Sequence, residues 1–178
     1  GKGGLVWNKA RVSGTGQDNH YLVDSERGIS KYLISSSTNA QGTNADLVSA
    51  FNADGFTMGS SNYGAYAIAS WTFRKAKKFF DVVTYTGNGT TGRTVSHNLG
   101  SVPGCIIIKS TSLTENWAVY HRSMGNTKYF YLNTTTSEGT SSNFWNNTSP
   151  TSTTFTLGND ASVNDNGATY VAYIFAPD

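Results

Sequence analysis

Two carboxylates, Asp24 and Glu26, lie two residues apart in the run VDSER. On an extended strand alternate side chains share a face. Two carboxylates on one face are the minimum equipment of a glycosidase, one serving as acid and the other as base or nucleophile. The histidines, His20, His97 and His121, show no metal-ligand spacing and no cysteine partners, so structural or surface roles are expected of them. The chain has no G-x-S-x-G, no H-E-x-x-H and no phosphate-cradling glycine loop leading into a helix. Nothing beyond Asp24 and Glu26 argues for catalysis, and a solvated strand face is the plainer reading of that pair.

Binding chemistry has more candidates. The segment GNDASVNDNG (158–167) gathers oxygen ligands. Asp160, Asn164 and Asp165 are its candidate Ca²⁺ ligands, since that cation takes carboxylate and amide oxygens from loops. The spacing matches no EF-hand, so a polar β-connection without a cofactor is the simpler expectation. The run FRKAKKFF holds Arg74, Lys75, Lys77 and Lys78, which could meet phosphates or keep a strand edge from pairing. Four Trp and ten Tyr are many for this length. Flat rings stack on sugar faces, and Asn/Ser loops hydrogen-bond to hydroxyls. Trp145 in the loop-like NFWNN, with Asn146, Asn147 and Tyr63, is the expected glycan or partner contact. Trp71 and Tyr173 end their respective halves at matching positions and are expected in the core.

The elements that must hold these groups are strands. Of 178 residues only 13% are charged and 13% are aromatic; Ser and Thr make up about a quarter, and glycine is abundant. That is the makeup of an all-β protein, long enough to bury a core. The net charge of +2 is too small to imply nucleic acid. No run approaches the roughly 20 apolar residues of a membrane-spanning helix. The lone Cys105 lies in the apolar GCIIIK and is expected to be an inert buried thiol. The start, GKGGLVW, reads as a trimmed beginning or as a segment of a longer chain.

The chain also repeats itself. KYLISSSTNAQGT (31–43) matches KYFYLNTTTSEGT (128–140), LVWNKAR (5–11) matches CIIIKST (105–111), GFTMG (55–59) matches TFTLG (154–158), and YAIASWTF (66–73) matches TYVAYIFA (169–176). The order and an offset of about 100 residues are kept throughout, which marks a duplication. Short runs rich in β-branched and aromatic residues, parted by Gly, Asn, Pro and Ser, read as strands. Only NADLVSAF (44–51) reads as a helical turn; FWNNTSPTST (144–153) reads as edge strand or loop. The expected fold is therefore all-β, with duplicated antiparallel β-sandwich units of jelly-roll or lectin-like type. A first unit spans 1–76 and a complete second unit 77–178. The first lacks a counterpart of FFDVVTYTGNGTTGRTVSHNL (79–99), hence its first two strands. Upstream residues, the second unit or a neighbouring chain would have to cover the exposed edges. One large sandwich is the alternative arrangement.

With these residues in view, the segment from FFDVVTYTGNG through YVAYIFA closely resembles an uncharacterised repeat of virion proteins from marine tailed bacteriophages, cyanophages among them. The motifs Y-T-G-N-G, S-H-N-L-G-S-V-P, V-Y-H-R and Y-V-A-Y occur in order. The resemblance covers the second unit and, from LVWNKAR onward, the first. Asn8 departs from the aliphatic residue usual there, so a break in the burial of that strand is expected. The resemblance transfers no catalytic residue. It implies a non-enzymatic virion structural protein, such as a tail fibre, knob or head decoration, on the particle surface. Its partners would be other virion proteins and further copies of itself, with a trimer expected, and its outward contact host-surface polysaccharide. A carbohydrate depolymerase, or a lectin-like protein outside a virion, is the alternative.

Overall fold

The computed structural model describes residues 3–11, 18–59 and 67–177. Two large antiparallel sheets dominate. The first contains β1 (Gly4–Ala10), β2 (His20–Asp24), β3 (Lys31–Ile34), β4 (Gly42–Thr43) and β7 (Ile68–Arg74), in the order β4-β3-β2-β1-β7. The second contains β8 (Phe80–Thr86), β10 (Cys105–Ser110), β11 (Ala118–His121), β12 (Lys128–Tyr131), β13 (Gly139–Thr140) and β15 (Thr169–Phe175), in the order β13-β12-β11-β10-β15-β8. Removing β8 leaves two identical strand orders.

The repeat holds at the level of register. Leu5 pairs with Phe73 and Cys105 with Phe175; Tyr21 pairs with Ile34 and Ala118 with Tyr131. Tyr32 faces Gly42, and Tyr129 faces Gly139. A Cβ on either glycine would overlap the hydroxyl end of the facing tyrosine ring. The K-Y…G-T signature therefore encodes an aromatic ring laid over a bare strand position, which pins the register of a short edge pair.

Two small sheets flank the large ones: β5 (Ala50–Phe51) with β6 (Phe56–Thr57), and β9 (Arg93–Ser96) with β14 (Thr154–Leu157). The described residues form short helices at α1 (Ser142–Trp145), capped by Ser141, and α2 (Ala161–Asn164), capped by Asp160. The helical turn expected at 44–51 is instead a turn stabilised by Asn44 Oδ1 accepting from the Asp46 amide at 2.9 Å, followed by β5. An Asn that bonds the amide two residues on diverts the chain from a helix.

Among the described residues three clusters form the core. Leu5, Leu22 and Leu33 of the first sheet meet Phe80, Val82, Val171 and Tyr173 of the second, so the two sheets pack face to face. The outer face of the second sheet is covered by Val95, Leu99, Phe144, Trp145, Phe155 and Val163. Leu47, Val48 and Phe56 cover that of the first. The seam expected at 76/77 falls in the turn between β7 and β8, while the packing runs across it. Asn8 does not interrupt the burial of β1: it is 0% exposed, and its Oδ1 accepts from Ser70 Oγ at 2.6 Å. A buried amide is tolerated when its hydrogen-bonding groups find partners.

Across the central interface one polar knot joins the halves. Asp24, at the end of β2, accepts from Arg27 Nε at 2.6 Å and from the Tyr173 hydroxyl at 2.9 Å. Its other oxygen accepts the amides of Glu26 and Arg27. Arg27 also donates to the Leu22 carbonyl and to Tyr173. Nearby, Trp117 Nε1 donates to the carbonyls of Ile34 and Ser37. Such fully paired groups fix how the two sheets sit on each other.

Candidate glycan-contact surface

The paired strands β1 and β7 place Trp7 directly opposite Trp71. His20 opens β2 on the other side of β1 and stands edge-on to Trp7, with ring centroids 5.9 Å apart. Its ring is nearly parallel to that of Trp71 at 6.4 Å. Trp7 Nε1 donates to His20 Nδ1 at 2.9 Å, which places the imidazole proton on Nε2. Burial, helped by nearby Lys9, lowers the pKa of His20. The histidine is therefore a neutral ring with an Nε2–H donor, and the cluster is an aromatic platform without net charge.

Trp71 is 48% exposed, whereas Tyr173, its counterpart in β15, is 1% exposed. The difference follows from topology. β15 is covered by β8, while β7 is the last strand of its sheet. Beside the platform lies an open depression of about 740 Å³, lined by Trp7, His20, Ser35, Ser36 and residues 132–136. Those polar residues are the Ser/Thr runs of the two repeats, brought to one place from opposite halves. Asn133 is committed to the frame, accepting the Trp117 amide at 2.9 Å and donating to Asn116. Exposed Leu132 adds apolar surface.

The sites expected from sequence are distributed differently. Trp145 is 2% exposed, in α1, and edge-on to Tyr120 in the core, so its ring does not reach the surface. In the single turn of α1 Phe144 and Trp145 face the core, while Ser142 and Asn143 face solvent. Asn146 and Asn147 turn the chain in left-handed conformation, with φ of 51° and 49°; Asn147 is exposed and Asn146 half-buried. Tyr63 lies outside the described residues.

In the candidate Ca²⁺ loop, Asp160 accepts the Ser162 amide as an N-cap. Asn164, fully buried, accepts from Asn88 and donates to Thr90 and Gly158 carbonyls. Asp165 follows as the C-cap of α2. The side chains of Asp160 and Asn164 are thus spent on the fold, and among the described residues no group of three His, Cys, Asp or Glu is placed to hold a metal ion.

The basic run does not act as one patch. Lys75 pairs with Glu26 at 2.7 Å and Asp81 at 3.4 Å. Burial alone would lower its pKa, but these two carboxylates raise it on balance. Arg74, Lys77 and Lys78 are exposed, with Lys78 at a φ of 58°.

Asp24 and Glu26 do not form a catalytic pair in a cleft. Asp24 is sealed between the sheets, and Glu26 sits in the following turn, bound to Lys75. Of the other histidines, His97 is buried against Phe155 with its pKa lowered by burial. His121 accepts the Ser123 amide. Burial pushes the Cys105 thiol up to about 11, which makes it a poor nucleophile.

Sequence reasoning placed Trp71 in the core by analogy with Tyr173. The absence of a strand equivalent to β8 carried the opposite message, because an uncovered last strand exposes its central side chains.

Residues 2–178 match the model of a family described as Domain of unknown function (DUF7483). No curated protein and no solved structure matches the chain.

Proposed function

The chain belongs to the DUF7483 family, and we propose that it is a non-enzymatic structural protein of a tailed-bacteriophage virion, displayed on the particle and touching host-surface glycans. The observation that carries the glycan contact is the uncharged platform of Trp7, His20 and Trp71 beside a depression rimmed by hydroxyls from both repeats. Rings give stacking area at low conformational cost, and Ser and Thr hydroxyls match sugar hydroxyls as donors and acceptors. The virion assignment is supported by the ordered sequence motifs and by the duplication, since stacked β-units lengthen an appendage without a new fold. Copies associating as a trimer and docking on other virion proteins belong to the same reading.

A depolymerase would need two carboxylates facing one cleft; the bonding of Asp24 and Glu26 favours the non-enzymatic reading instead. The deciding experiment is titration of the purified chain with host lipopolysaccharide and capsule fragments, following Trp fluorescence, beside Trp71→Ala. Saturable quenching that Trp71→Ala weakens roughly five- to 150-fold is expected, about 1–3 kcal/mol of stacking by analogy with ring–base contacts. Equal binding by both proteins, or release of shortened polysaccharide on prolonged incubation, would refute the proposal. Immunogold labelling of intact particles distinguishes a virion protein from a free lectin.

A further inference from the structure

The two repeats differ in what covers them. In the second, β8 lies along β15 from Thr169↔Thr86 to Phe175↔Phe80, and β9 lies along β14 from Thr154↔Ser96 to Leu157↔Arg93. In the first, β7 and β6 are the counterparts of β15 and β14, and among the described residues no strand occupies either place.

Among the described residues no backbone group pairs with the outer edge of β7, and the outer edge of β6 carries only the bond from Ser49 Oγ to the Met58 carbonyl. The amide of Arg11 donates to the carbonyl of Ala67, and that of Lys75 to Gly3. Odd-numbered residues of β7 thus turn their backbone groups to β1. Ile68, Ser70, Thr72 and Arg74 turn theirs to the free side, because strand residues alternate between edges.

For β6, the pairing with β5 is not a substitute for β9. Asn52 N donates to Gly55 O just as Thr151 N donates to Thr154 O, so the same turn leads into β6 and β14, and the β5 side of β6 corresponds to that turn's side of β14. β9 approaches β14 from the opposite edge, through His97 N to Thr153 O and Gly92 N to Leu157 O.

Between these edges a cavity of about 230 Å³ is lined by Leu5, Val6, Phe51, Phe56, Thr72 and Phe73, among others. Their counterparts in the second half include Ile106, Phe155 and Ile174, which pack with Val95 and Leu99 of the β9 region. Ser70 and Thr72, small and exposed, stand where Ala172 and Ile174 are buried under β8 and β9.

We propose that the first repeat is a strand-acceptor site whose occupant is an extended segment of the sequence type of residues 79–99, donated by another unit of the same family. The donated β8-like strand would pair with β7 in the register of β8 on β15. Its β9-like continuation would fill the cavity and pair with β6. Addition of a strand to a free sheet edge draws affinity from the main chain and specificity from alternate side-chain pockets. The inference does not depend on the glycan reading, since the edge of β7 exists whatever the platform binds.

The test uses the full chain and a labelled peptide, FFDVVTYTGNGTTGRTVSHNL, with anisotropy and amide exchange as readouts. In the second repeat Gly87 N donates to Ala168 O and Ala176 N to Phe79 O, so Asp81, Val83 and Tyr85 face the acceptor strand. N-methylation at Val83 and Tyr85 is therefore expected to weaken binding at least tenfold, while N-methylation at Val82 and Thr84 leaves it within about threefold. Amides of Ile68, Ser70, Thr72 and Arg74 should gain protection on binding, and Thr72→Pro, which removes one free-edge donor, should abolish the gain. If Thr72→Pro does not fold, the methylated peptides decide alone.

No binding by the parent peptide, equal loss from both methylation patterns, or protection confined to 80–86, the free edge of β8, would each overturn the proposal. Loss of glycan binding with peptide binding intact would refute only the function proposed above.

Discussion

Replacing Asp24 by Asn tests whether the polar knot between the sheets fixes the molecule. Asp24 is fully buried and accepts four hydrogen bonds: from the Glu26 amide at 3.1 Å, the Arg27 amide at 2.9 Å, Arg27 Nε at 2.6 Å and the Tyr173 hydroxyl at 2.9 Å. The Arg27 side chain is 4% exposed. The substitution nearly preserves shape but leaves that guanidinium as an uncompensated buried charge, and it puts an amide NH₂ or a weaker acceptor where two donors point. Breaking one side of a buried pair costs about 3–5 kcal/mol. For a domain of this size each kcal/mol lowers Tm by about 2–4 °C, so a fall on the order of 10 °C is expected.

Urea unfolding of wild type, Asp24→Asn, Arg27→Met and the double variant supplies the assay. Arg27→Met puts in the residue that Met124 provides in the second repeat, and the double variant should be more stable than Asp24→Asn alone, because the stranded charge is gone. A single-variant cost below about 1 kcal/mol, or strictly additive costs, would refute the claim that this ion pair is coupled and sealed between the sheets.

Lys109 gives a pH-dependent prediction. It is 0% exposed, its ammonium donates to the carbonyls of Ser110 and Leu113, and burial, partly offset by Glu115, lowers its pKa to about 8. Between pH 8 and 10 the unfolded chain keeps the Lys109 proton that the folded chain has released, so the Lys109 contribution to stability should rise with pH in that window, against a fall from Cys105, whose thiol ionises later in the folded chain. Lys109→Met should lack the rise in denaturant titrations at pH 7.5 and 9.5. Above pH 10 the sign reverses, since burial pushes Tyr170 up to about 12 and the unfolded tyrosine ionises first. Gly42→Ala and Gly139→Ala should each cost about 1–3 kcal/mol in thermal melts, through overlap with Tyr32 and Tyr129; no loss at either site would remove the ring-over-glycine account of the repeated signature.

Much of the fold was legible because it is local. Alternating Val, Ile, Tyr and Phe marked β8, β10, β11 and β15, and the two K-Y…G-T tracts marked the duplicated edge pairs whose register the structure reproduces residue for residue. The candidate site was less legible. Trp145 sat within the Asn-rich NFWNN and read as loop, yet it lies in a helical turn capped by Ser141 with its ring facing inward. Trp71 sat in a strand like that of Tyr173, and only the missing neighbour exposes it. Asp24 and Glu26 shared a spacing but not a surface, because the chain turns immediately after Asp24.

From sequence alone came the β class, the duplication and the unequal length of its halves, since residue type and spacing act within a few positions along the chain. Tertiary structure alone decided that the two sheets pack on each other, that Arg27 reaches Tyr173 of the other half, and that both Ser/Thr runs border one depression. It also decided which tryptophan meets solvent. Burial is a property of what lies across the sheet and beside the strand, and those neighbours stand as many as about 150 residues away in the chain, a distance over which no local pattern carries information.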